Sequence, residues 1–173
     1  MAISKEVVDT TQNYLSKYPE IFSTYPVEIK SIIHNENITL QSRDFEHEIS
    51  GVLLIKEDNV TIGVKSGSHE HRERFTIAHE LGHYILHTDK SNLFIDKIFF
   101  RKKSDGYTTK EEKIEKEANY FAANILMPEK LVLQAILNLD CDLYDDIAID
   151  DLAKEFNVSS SAMSFRLINL GIL

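Results

Sequence analysis

The chain has 173 residues, 43% of them hydrophobic and 27% charged, with three Pro, six Gly and one cysteine, Cys141. That length suits one domain, or one domain with a small appendage. The composition excludes a collagen-like chain, a disulfide framework and a cysteine-rich zinc ribbon. Nineteen Lys+Arg against 28 Asp+Glu leave a formal net charge of −9, the reverse of the balance that phosphate contacts require, so nucleic acid is not expected as the main partner.

The opening MAISKEVVDTTQNYL has no uninterrupted apolar stretch of the kind a secretory signal needs. No run approaches 18 consecutive apolar residues, so no membrane partner is expected and the expected location is the cytoplasm. Val7, Val8, Thr11, Tyr14, Leu15 and Tyr18 recur at helical spacing and predict a helix over 4–18, ending before Pro19. Pro26 can open a second short helix through Ile33. Residues 51–56 are a β-leaning apolar run, Glu57-Asp58-Asn59 is a turn signal, and Val60, Ile62 and Val64 alternate with polar neighbours, which predicts a hairpin. Its strand 60–65 could offer an edge to an extended peptide. Ser66-Gly67-Ser68 can cap a helix over 70–87. Residues 93–100 read as a further strand, Lys102 to Thr109 as a polar loop around Gly106, and 110–127 as a helix halted by Pro128. Another helix covers 129–139, an acidic linker 140–146, and two short helices 148–171. Few strands in one block between helices point to an α+β fold with a small antiparallel sheet.

Within the helix at 70–87 lies His79-Glu80-Leu81-Gly82-His83, an HExxH pattern. Residues i and i+4 share a helical face, so both imidazoles can reach one ion. Glu80 is one step round, where it can hold and deprotonate a water at the metal. A catalytic Zn2+ site needs three protein ligands and an open position. His87 is one turn further on, but its face has drifted about 80° from that of His79, so it reads as a structural or supporting residue. The third ligand is then a downstream carboxylate. On the helix at 110–127, Glu115 lies about 60° from the centre of the apolar side and Glu117 about 100° away. Glu115 is therefore the expected ligand and Glu117 its substitute. Asn119, four residues after Glu115, can hold the second ring nitrogen of a metal-binding histidine.

RERFTIAHELGHYILH (72–87) and IEKEANYFAANILMP (114–128) together resemble the ImmA/IrrE family of metallopeptidases. Arg72, Arg74, Phe75, Thr76, Ala78, His79, Glu80, Gly82 and His83 match the first part of the family pattern. Glu115, Asn119, Ala122, Ala123, Leu126, Met127 and Pro128 match the second. The resemblance, spanning about residues 20–173, implies a zincin-like, gluzincin-type fold with Zn2+ on His79, His83 and Glu115. It also implies a cytosolic bacterial or phage endopeptidase that cuts a helix-turn-helix repressor.

Residues 149–167 are patterned as a helix-turn-helix, so the expected division is a metallopeptidase domain over 1–139 and a helical segment over 140–173 packed on it. Only Lys154 and Arg166 oppose Asp150, Asp151 and Glu155 over 148–173, which favours contact with a protein over contact with DNA. The cluster Arg101-Lys102-Lys103 could border the cleft. His69, His71 and Tyr107 are candidates to stabilise an oxyanion. Two other functions fit the same residues: a docking or regulatory module with a non-catalytic metal site, and a toxin or defence component.

Overall fold

The computed structural model describes residues 2–45, 49–97, 109–139, 143 and 146–173. The loop around Gly106 with Tyr107, the basic cluster at 101–103 and most of the acidic stretch 140–146 lie outside the described residues.

Helix α1 (Lys5–Lys17) is capped by Ser4, whose Oγ accepts from the Val7 N–H, and it buries Val7, Thr11 and Tyr14. A 3-10 turn at Ile21–Ser23 leads to α2 (Ile29–Asn35). Pro26 thus precedes α2 rather than opening it, and the Ile29 N–H bonds to the Val27 carbonyl.

The sheet has strands β1 (Thr39–Arg43), β2 (Ile49–Lys56), β3 (Asn59–Lys65) and β4 (Leu93–Lys97), in the order β1-β3-β2-β4. The expected hairpin is β2–β3, closed by the Lys56–Asn59 pair, and β2 also pairs antiparallel with β4. The remaining strand differs from expectation. β1 pairs parallel with β3, so the sheet is mixed rather than antiparallel throughout. Its sequence, TLQSR, buries neither face fully, so no alternation marks it as a strand. The arrangement also leaves β3 paired on both sides, so it cannot lend an edge to a peptide. Among the described residues the outer strands are β1 and β4.

Helix α3 (Glu70–His87) packs on the sheet across β2 and β3 and carries α4 (Thr109–Leu126) on its other side. Its N-cap is His69, whose ring accepts from the His71 N–H, rather than a residue of the Ser-Gly-Ser turn. Sandwiched in this way, α3 is buried without a break from Thr76 to His83. Gly82 lies where the two helices nearly touch: a Cβ there would sit 3.1 Å from the Ala118 carbonyl oxygen and 3.3 Å from Phe121 Cβ.

Helix α5 (Glu129–Leu137) follows Pro128, and α6 (Asp146–Glu155) and α7 (Ser160–Asn169) form the expected helix-turn-helix. Leu152, Phe156, Val158, Met163 and Leu167 join the same apolar core as Leu53, Ile62, Leu81 and Phe121. Two buried arginines bind this end to the rest. Arg166 donates to the Met127 carbonyl (2.9 Å) and to Asn124 Oδ1 (3.0 Å). Arg74 donates to the carbonyls of Asn157 (3.1 Å) and Val27 (2.9 Å). Among the described residues no helix is long and apolar enough to cross a membrane.

Candidate metal centre

The middle of α3 projects His79 and His83 toward α4, where Glu115 meets them. Glu115 Oε2 lies 3.3 Å from His79 Nε2 and Oε1 3.3 Å from His83 Nε2, and the two imidazole nitrogens are 3.0 Å apart. Tetrahedral ligand atoms at about 2.0–2.1 Å from a zinc ion stand about 3.3 Å from one another. The donor set and its spacing therefore fit a metal ion. Among the described residues, these three side chains are the group of metal-ligating type brought within reach of one ion.

Glu80 follows His79 on α3 and turns toward the sheet. It is fully buried, and among the described residues neither carboxylate oxygen has a hydrogen-bond partner. Gly51 of β2 makes room for it: a Cβ at Gly51 would fall 2.6 Å from Glu80 Oε1 and collide with the Thr76 methyl. An unpartnered buried carboxyl is costly, and such groups concentrate at functional sites. Burial raises the Glu80 pKa to about 8, with His79 only partly opposing.

The metal-free electrostatics of the triad are those of an ion pair. Burial disfavours the charged His79 imidazole, but the Glu115 hydrogen bond and the Glu80 and Glu115 charges outweigh it and lift the pKa to about 9. Burial works against the Glu115 carboxylate too, yet hydrogen bonds from His79 and His83 bring its pKa down to about 2. Burial holds His83 below its ordinary value.

Asn119 is exposed, but its Oδ1 accepts from His79 Nδ1 at 3.1 Å, as the spacing from Glu115 predicts. Glu117 is not at the edge of α4, where the apolar wheel puts it. It is more buried than Glu115, and it accepts from His87 Nε2 at 3.1 Å. The wheel is centred on apolar residues, whereas the α3–α4 seam is partly lined by histidines, so its polar side is invisible to that arithmetic. His87 is buried, is not one of the three clustered donors, and lies 3.1 Å from His83 through their Nδ1 atoms. Burial lowers its pKa to about 4. His69 caps α3 and His71 sits in its first turn, about 12 Å or more of helix rise before His79, and they do not reach the cluster.

Two residues of β4 adjoin the site without any signal in the sequence that they would. Phe94 stacks on the His83 ring, with centroids 4.5 Å apart and planes at 16°. Asp96, held by Ser50 Oγ, adds negative charge that raises both His79 and Glu80.

A profile of the peptidase M78 family, described as the IrrE N-terminal-like domain, matches residues 33–168. The chain belongs to the ImmA/IrrE family of metallopeptidases. Its similarity to the uncharacterized immunity region protein 2 of Bacillus phage phi105 is 31% identity over 139 residues, covering 80% of this chain and 77% of that one. It is 28% identical over 99 residues to the metallopeptidase ImmA of Bacillus subtilis, covering 57% of this chain and 51% of that protein. It is 34% identical over 113 residues to the radiation response metalloprotease IrrE of Deinococcus radiodurans, covering 64% of this chain and 31% of that protein. The ImmA/IrrE chain thus spans about half or less of the length of these two metallopeptidases. Its fold is shared with a Mycobacterium tuberculosis transcriptional regulator at a TM-score of 0.62 and 16% identity, over 95% of this chain and 46% of that one.

Proposed function

We propose that this ImmA/IrrE chain is a cytoplasmic zinc endopeptidase that cuts a regulatory protein, in the first instance a helix-turn-helix repressor. The observation that carries the reading is Glu80: a buried carboxyl with no hydrogen-bond partner among the described residues, one residue from His79 and beside the His79–His83–Glu115 cluster. A site that merely held a metal would gain nothing from such a group.

His79, His83 and Glu115 would hold the ion, and Asn119 would fix the His79 ring by taking its Nδ1 proton in a hydrogen bond. Bound zinc would lower the pKa of a water toward 7 and polarise a scissile carbonyl. Glu80, whose carboxylate the bound ion would keep ionised, takes the proton of the attacking water, and its burial favours holding that proton once taken. It then passes the proton to the leaving amine, so one side chain serves as base and then acid. Thr76 and the Gly51 backbone wall off the side of Glu80 that faces the sheet. The outer strand β4, with Phe94 and Asp96 on its site-facing side, is the edge on which an extended substrate segment would lie.

A repressor as substrate is supported by the likeness to a phage immunity-region protein and by the exposed apolar side chains Phe165 and Ile168 on α7, which suit contact with a protein. The division into a peptidase domain over 1–139 and a helical segment over 140–173 belongs to the same reading.

The test is co-expression with a repressor encoded beside this chain, comparing wild type with Glu80→Gln. Wild type should deplete the full-length repressor. The variant should bind as much zinc as wild type and leave the repressor intact. Regulation that persists in cells with Glu80→Gln would replace the peptidase with a docking module.

A further inference from the structure

We propose that His87 and Glu117 are positioning residues that hold His83 with its Nε2 lone pair turned to the metal, an inference that rests on the metal reading above. The argument follows the protons. The Glu117 carboxylate can only accept, so the 3.1 Å contact to His87 requires the proton on His87 Nε2. A neutral imidazole has one proton, so His87 Nδ1 is bare and accepts. Its neighbour at 3.1 Å, His83 Nδ1, must then carry its own proton. That leaves His83 Nε2 bare, and this is the atom 3.3 Å from Glu115 and 3.0 Å from His79 Nε2.

Each imidazole of the pair is thus oriented from α4. Asn119 sets His79 directly, and Glu117 sets His83 through His87. The relay is anchored at both ends. Lys113 Nζ lies 3.6 Å from the other Glu117 oxygen, and Phe94 stacks on the flat face of His83. His87 and Glu117 lie almost wholly inside the α3–α4 seam, where an apolar pair would pack with less desolvation cost. Their polarity is explained if a third group depends on it.

The experiment compares His87→Leu with His87→Asn in the purified full chain. It measures zinc affinity by chelator competition, the visible absorption of the cobalt-substituted protein, and the thermal midpoint without metal. Leu fills the space but cannot accept from His83. Asn places an oxygen near the former Nδ1 and can. Positioning predicts that Leu weakens zinc binding about 10–100-fold and shifts the cobalt bands, while Asn keeps most of the affinity. A packing role predicts the opposite order, with the buried Leu tolerated better than Asn in every measurement. Should His87→Leu not fold, Glu117→Met against Glu117→Gln poses the same question, since Gln keeps the acceptor and Met does not. Unchanged zinc affinity and cobalt spectrum in His87→Leu, or in Glu117→Met where that pair decides, would overturn the relay and leave the metal site standing. A wild-type chain that binds no zinc, or a His83→Ala chain that binds it as wild type does, would remove the metal reading and the relay with it.

Discussion

At the scale of single residues, the site depends on atoms that are missing as much as on those present. Gly51 is the clearest case, because any side chain there enters the space of Glu80 Oε1 and the Thr76 methyl. Gly51→Ala should cost about 1–3 kcal/mol through overpacking and should abolish proteolysis while the metal remains, since the atoms nearest the new methyl belong to Thr76 and Glu80 and not to the three clustered donors. Denaturant unfolding and metal analysis of that variant check both halves. The carboxyl beneath it also titrates in an unusual range. Glu80 takes up its proton at about 8 when folded, against an ordinary 4.5. A carboxyl raised on folding stabilises fully below its unfolded value, and the contribution is lost as pH climbs through the folded one. In the metal-free protein Glu80 should therefore make stability decline between about pH 4.5 and 8. Glu80→Gln lacks the titrating group, so its thermal midpoint should fall less steeply over that window than wild type.

At the scale of elements, α7 occupies the place of a recognition helix but is tied down by the residue that would have touched DNA. Arg166 is buried, and its guanidinium is spent on Asn124 of α4 and on Met127 just after that helix. Arg166→Ala should lower stability by about 1–3 kcal/mol, the cost of stranding buried acceptors. A duplex-binding titration at low salt should show no specific binding for either form; tight binding lost with Arg166 would contradict the assignment. Helices α3 to α7 were legible in the sequence because each has long apolar periodicity or a proline boundary. His79, Glu80 and His83 were legible because helical spacing is local, and Asn119 because it sits one turn from Glu115 on the same helix. β1 was not, since a short outer strand with no buried face leaves no pattern. The depth of Glu117 was not, since it depends on His87 from another helix. Asp96 and Phe94 reach the site only through pairing of β4 with β2, a long-range fact with no counterpart in spacing.

At the scale of the whole molecule, folding and metal binding should respond to pH in opposite senses. His79 is raised to about 9 from an ordinary 6.5, so its ion pair with Glu115 stabilises the metal-free chain below pH 6.5 and is lost as pH rises through 9. Ligation requires a neutral imidazole, so zinc affinity should climb across that same interval while the metal-free thermal midpoint falls. Zinc titration in buffers of different ionisation enthalpy should register at least one proton released per ion bound at pH 7, from His79 and, as the ion draws Glu80 to its carboxylate, from Glu80 as well. If no proton is released, the His79–Glu115 pair is not charged in the metal-free protein. The seam at Gly82 has a consequence of its own. Two of the proposed ligands stand on α3 and one on α4, and the backbones meet at Gly82 and Ala118 with room for hydrogen alone. That contact works as a calliper, setting the size of cation the three donors can grip together. A methyl at Gly82 must push the helices apart by a few tenths of an ångström. Gly82→Ala should accordingly give up affinity for zinc while losing less for the larger cadmium ion, so that the choice of metal is written in a position that never touches it.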